Sequence, residues 1–84
     1  MKLYSVYDKK SMVYGQILTC EDEIQARRFF ECAVRDSETM MNHYPEDFVL
    51  VEICDFDNKT GAITSLPMPK QILEAQACFS SIDK

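Results

Sequence analysis

Apolar residues recur along this chain with two periods, one near two and one near 3.6, and the change of period separates strands from a helix. Lys2 to Asp8 alternates, with Leu3 and Tyr7 opposed to Tyr4 and Val6, and its aromatic content suits a pleated strand. Asp8-Lys9-Lys10-Ser11 has turn composition, and Met12 to Leu18 resumes a β-like run in which Gly15 marks a bulge or a close backbone approach. Together they predict an N-terminal hairpin. Thr19-Cys-Glu-Asp22 offers a capping-box-like start for a helix from about Cys20 or Glu21 to Arg35. Its apolar stripe is Ala26, Phe29, Phe30, Ala33 and Val34, while Arg27, Arg28, Glu31 and Arg35 occupy the other side. Such a helix covers one face of a sheet.

The segment from Phe48 to Cys54 is apolar on both of its faces. Val49, Val51 and Ile53 point one way; Phe48, Leu50 and Cys54 point the other, with Phe56 beyond and only Glu52 interrupting. A strand reads this way when both sides are covered, and one long helix covers only one of them. The second face therefore needs a C-terminal helix or another molecule. Between the main helix and this strand, Asp36 to Asp47 is irregular, with a helical turn near Ser37 to His43 that Pro45 ends. Asp55 to Gly61 supplies a hairpin loop, and Ala62 to Leu66 a return strand. Leu66-Pro-Met-Pro69 then breaks the sheet, and Pro69 opens a short helix from Lys70 to Phe79 with Ile72, Ala75 and Phe79 on one side. The expected class is α+β: a β-β-α-β-β antiparallel sheet with one main helix packed on one face and a short C-terminal helix or tail. Residues 1–84 form one domain, in which 66–84 is a docked or flexible segment.

Composition narrows the chemistry. Nine Lys and Arg stand against 14 Asp and Glu, a formal net charge of -5, which argues against a general coat for nucleic acid. No Cys-x-x-Cys pair occurs and the single histidine, His43, has no ligand at zinc spacing, so the four cysteines are expected as reduced small hydrophobes and no metal site is expected. Asp55, Asp57 and Gly61 resemble the start of a calcium loop, but Lys59, Thr60 and Leu66 stand where it needs an oxygen ligand, a glycine and a glutamate. No secretory leader is expected after Met1-Lys-Leu-Tyr, and no stretch has the length of a membrane span. No catalytic residues and no cofactor are assigned, and the chain is not expected to be an enzyme. For contact with phosphates the candidates are Lys9, Lys10, Arg27, Arg28 and Arg35, with Tyr4, Tyr7, Tyr14 and Tyr44 as stacking surfaces if they converge.

Tyr4-Ser-Val-Tyr-Asp8, Gln25-Ala-Arg-Arg-Phe29, Tyr44-Pro-Glu-Asp-Phe48, and Phe56-Asp57 with Thr60-Gly61 resemble, in order and spacing, the small non-structural protein of gokushovirus-type microviruses, which are single-stranded DNA phages. The resemblance runs from about residue 3 to 63, and departs from the family where Cys54 replaces a common glycine. It implies a non-virion protein, made in the cytoplasm of the infected bacterium, that assists single-stranded viral DNA synthesis or packaging through DNA or replication-protein binding. Partners expected on that basis are single-stranded DNA and a phage replication or capsid protein. A homo-oligomer, first of all a dimer, is expected through the sheet, with Phe48, Leu50 and Phe56 as its self-interface. The competing expectation is an acidic inhibitor or adaptor that occupies a basic site on a host protein.

Overall fold

The computed structural model describes residues 1–80; of the segment 66–84, residues 81–84 lie outside the described residues. Strands β1 (Lys2–Asp8) and β2 (Val13–Cys20) form the first hairpin, and helix α1 (Glu23–Arg35) leads to a short helical turn α2 (Met40–His43). A 3-10 turn at Pro45–Asp47 enters β3 (Phe48–Phe56), which pairs with β4 (Ile63–Glu74), and helix α3 (Ala75–Ser80) follows at once. The four strands are antiparallel in the order β2-β1-β3-β4. This is the expected α+β sheet with one main helix.

Both hairpins turn on an aspartate. Asp8 Oδ1 accepts from the backbone N–H groups of Lys10 and Ser11 at 3.0 and 3.4 Å, and Asp57 Oδ1 does the same for Lys59 and Thr60 at 2.9 and 3.4 Å. Four residues after each aspartate the backbone turns left-handed, at Met12 (φ 60) and Gly61 (φ 81). The Asp57 to Gly61 run is thus a hairpin turn whose carboxylate is consumed by main-chain donors. Those donors hold both carboxyls below the usual range, led by the Ser11 hydroxyl at Asp8 and by the Lys59 N–H at Asp57.

Helix α1 begins later than Thr19 would have it. Cys20 belongs to β2 and is 6 % exposed, so the chain is still extended there. The cap is Asp22, which accepts from Gln25 N–H at 3.0 Å, while Gln25 Oε1 reaches back to Glu21 N–H at 3.1 Å. Ala26, Phe30 and Val34 form the buried stripe at i, i+4 and i+8, whereas Phe29 is 52 % exposed. Successive residues on a helix lie about 100° apart, so two adjacent phenylalanines cannot both face the sheet.

The C-terminal third departs most from expectation. Neither Pro67 nor Pro69 ends the sheet: β4 runs through both to Glu74, and α3 begins only at Ala75. An edge strand tolerates proline, because an N–H facing away from the sheet is not needed. The ladder records the disturbance, since Ser65 pairs with Cys54 and Lys70 with Glu52, leaving three more residues on β4 than on β3 in between. A second bulge leaves Ile72 between Gln71, opposite Val51, and Leu73, opposite Leu50. The Ile72 carbonyl is taken instead by Arg27 Nη2 at 3.1 Å, which ties α1 to the sheet.

Candidate interaction surface

Cross-strand partners share a face of a sheet, so the register assigns each strand residue to one side. On the helix side lie Tyr4, Val6, Leu18, Cys20 and Leu50, clustered with Ala26, Phe30 and Val34 of α1 and with Ala75 and Cys78 of α3. Both helices therefore sit on the same side of the sheet. The C-terminal helix does fold onto Leu50, but beside α1 and not on the face opposite. Glu52 belongs to this side at 6 % exposure and is met by Lys2 Nζ at 3.2 Å, a contact that raises the Lys2 pKa. The Tyr4 hydroxyl lies buried next to this pair with no hydrogen-bond partner among the described residues. Burial first, and the Glu52 charge second, push its pKa up to about 12.

The other side carries no helix among the described residues. Its rows read Tyr14, Tyr7, Val49, Glu74 and then Ile17, Ser5, Val51, Gln71 across the four strands. Tyr7 and Tyr14 pack ring to ring with centroids 4.4 Å apart. Val49 and Val51 are only 1 % and 4 % exposed, yet neither belongs to the cluster beneath the helices. They are central-strand residues flanked on both sides, and the proline arch of β4 adds partial shelter nearby. Pro69 meets Leu3, Ser5, Ile17 and Ile53 around a hollow of about 320 Å³. At the rim of this side Ile17 and Ile63 are each 62 % exposed.

Period-two reading of β3 places Phe48, Leu50, Cys54 and Phe56 on one face; the structure divides them. A bulge at Ile53 lets Cys54 pair with Leu3 and Glu52 with Tyr4, which shifts the parity of everything beyond it. Phe48 packs against the helix-side cluster and Leu50 is fully buried within it, so both lie inside the single chain. Phe56, paired with Ile63, lies on the side without a helix. The sequence pattern overlooked Ile17 and Tyr14 on that surface. Their signal was the alternation of the first hairpin, where Leu3 and Tyr7 already oppose Tyr4 and Val6.

The basic residues do not form one patch. Lys9 Nζ lies 3.2 Å from Glu74 and Arg27 Nε 2.8 Å from Glu23, while Arg28 borders a hollow with Phe29, Cys32 and Asp36 on the outer side of α1. Lys10 lies in the first turn, and Arg35 closes the last turn of α1. Three cysteines, Cys20, Cys54 and Cys78, are buried and Cys32 is exposed, and none of the four is in a disulfide. Burial pushes the Cys20 and Cys78 thiols up, which suits inert small hydrophobes. No group of three metal-ligating side chains gathers among the described residues.

Compared with known proteins, the chain matches the family described as Phage ORF5 protein over residues 1–78. It belongs to that family. It is also 35% identical over 65 residues to Protein ORF5 of Chlamydia phage 1, an alignment covering 73% of this chain and 68% of that protein. No solved structure matches it. The resemblance to the small microvirus protein, carried in the sequence by four short segments, thus stands, and the ORF5 match extends to Cys78 through the β4 arch and most of α3. This is a phage accessory protein. None of its described helices is long and apolar enough to cross a membrane.

Proposed function

We propose that this ORF5-family protein is a non-catalytic binding module that dimerises through the helix-free face of its sheet. In the cytoplasm of the infected bacterium it would serve single-stranded viral DNA synthesis or packaging by engaging replication or capsid proteins. The observation that carries this is the composition of that face. In its two central rows the one formal charge is Glu74, already paired with Lys9, and the remainder is aliphatic, aromatic or small apart from the uncharged amide of Gln71. Four strands about 4.8 Å apart and about seven residues long at about 3.3 Å each outline roughly 450 Å² in projection. The exposed apolar part of this face is Tyr14, Ile17 and Ile63 at the edges, so the dimer belongs with interfaces smaller than the standard ~800 Å² per partner. With its one cation among the described residues, Lys9, held by Glu74, this surface offers phosphates little.

Dispersal of the basic residues favours protein over DNA as the working contact. Lys9 and Arg27 are engaged with carboxylates, and the net charge of -5 opposes approach of a polyanion. Sedimentation equilibrium at micromolar concentration should return a dimer mass; a monomer across the whole range would refute the interface. A parallel titration with single-stranded oligonucleotide at two salt concentrations should show no strongly salt-dependent binding. Steep salt dependence would instead assign the role to DNA.

A further inference from the structure

The helix side of the sheet also has an open end, distinct from the face assigned to dimerisation. A groove of about 340 Å³ lies between the first half of β2 and α2, lined by Val6, Val13, Met40, Met41 and Phe48. Past Met40 and Phe48 it continues into a second hollow lined by Tyr44, Asp8, Lys10, Glu46 and Asp47. Val13, Met40 and Tyr44 are 56, 61 and 49 % exposed. Single exposed apolar residues are ordinary, but three around one groove beside an acidic rim mark a contact site. Methionine side chains adapt to varied apolar occupants. Three carboxylates against one lysine make the rim acidic, and neither Glu46 nor Asp47 is held in an ion pair among the described residues.

The groove borders a free sheet edge. Of the two edge strands, β4 is blunted by Pro67, Pro69 and the arch between them. β2 contains neither proline nor lysine, and Val13 to Ile17 are all exposed along it. We infer that this edge and its groove receive an extended segment of another protein whose groove-facing side chains are apolar along β2 and basic at the end beside the acidic rim. Laid along β2, such a segment turns every second side chain to the groove, apolar ones against Met40 and Met41 and a lysine or arginine at the end nearest Glu46 and Asp47. A second copy fits poorly, because its own β2, Val13–Cys20, carries no lysine or arginine to meet the rim. Pairing two β2 edges would also oppose their bulges between Tyr14 and Ile17. Nucleic acid is disfavoured by the sign of the rim.

Methyl NMR of the full chain reads Met40 and Met41 directly. Three short peptides with threonine at every second position serve as probes at low salt: one with valines between and lysines at both ends, one with valines and glutamates, and one with serines and lysines. The valine–lysine peptide should shift both methyls and bind about tenfold more tightly than either control. Met40→Ser, at an exposed position, should keep the melting temperature and lower that affinity about fivefold. Unmoved methyls with the valine–lysine peptide overturn the inference, as does equal binding by either control. A solution mass that falls on Met40→Ser also overturns it, since the groove would then belong to a second copy. Loss of the dimer at the helix-free face would leave the peptide result intact, so the two proposals fail separately.

Discussion

Leu50 and Val51 are neighbours on β3 and both are almost fully buried, yet they are buried by different means. Leu50 lies under two helices, in contact with the stripe of α1 and the first turn of α3. Val51 faces the side without helices and is sheltered by Ser5 and Gln71 on the flanking strands. Burial by a packed layer removes a residue from water in the single chain. Burial by lateral neighbours removes Val51 as well, and leaves the exposed surface of that face at Tyr14, Ile17 and Ile63. The apolar run of β3 is therefore buried within the single chain on both faces, by a packed layer on one and by its neighbours on the other. Substitutions on the two faces should separate them.

The largest effect belongs to the covered face. Leu50→Asp puts a carboxylate with no cationic partner into the cluster of Tyr4, Phe30 and Ala75, at a cost of about 4 kcal/mol or more, comparable with the whole stability of a chain this small. Circular dichroism should show no cooperative melt. A folded monomer with Asp at this position would mean that Leu50 had been facing a partner after all.

Arg27→Ala tests how the covering layer is attached. It removes the donor from the carbonyl of the bulged residue Ile72 and the ion pair with Glu23, and should cost about 1 to 2 kcal/mol in urea denaturation. Arg28→Ala, one residue along and exposed, should change stability by no more than about 0.5 kcal/mol. Equal costs at the two positions would remove the special role of Arg27.

Tyr4→Phe alters the covered face without changing its shape. The Tyr4 phenol titrates near 10 in an unfolded chain and at about 12 in the fold, so the fold favours the neutral form. Its contribution is fully present below pH 10 and is lost as pH rises from there through about 12. The variant should lose this share of the alkaline decline. At pH 7 it should be as stable as the parent or up to about 1 kcal/mol more so, because an unpartnered buried hydroxyl has gone. An alkaline melting profile identical to the parent's would exclude Tyr4 as the titrating group.

The same contrast explains which parts of the fold could be read in the sequence. β1, β2 and the burial of Ala26, Phe30 and Val34 follow from local periodicity, and the two Asp-led turns from the chemistry of one side chain. The faces of β3 were not legible, because the parity change at Ile53 exists only in register with Leu3 and Tyr4. The path of β4 through Pro67 and Pro69 was hidden for a related reason: whether proline breaks a strand depends on whether that strand is an edge. Phe48 and Leu50, expected at a self-interface, precede the bulge and lie on the helix side, while the parity change carries Phe56 to the open face.

Ile17→Lys carries the smallest stability change and the sharpest test of the second face. Ile17 is 62 % exposed on β2, so lysine there should alter the stability of the single chain by no more than about 0.5 kcal/mol. On the dimer the consequence differs. Ile17 borders the hollow shared with Leu3, Ile53 and Pro69, and a cation placed there must either be desolvated or keep the two faces apart. The expected outcome is a monomer mass in sedimentation, with an unchanged circular dichroism spectrum and an unchanged response to the valine–lysine peptide. If the dimer persists with lysine at this position, its interface lies elsewhere.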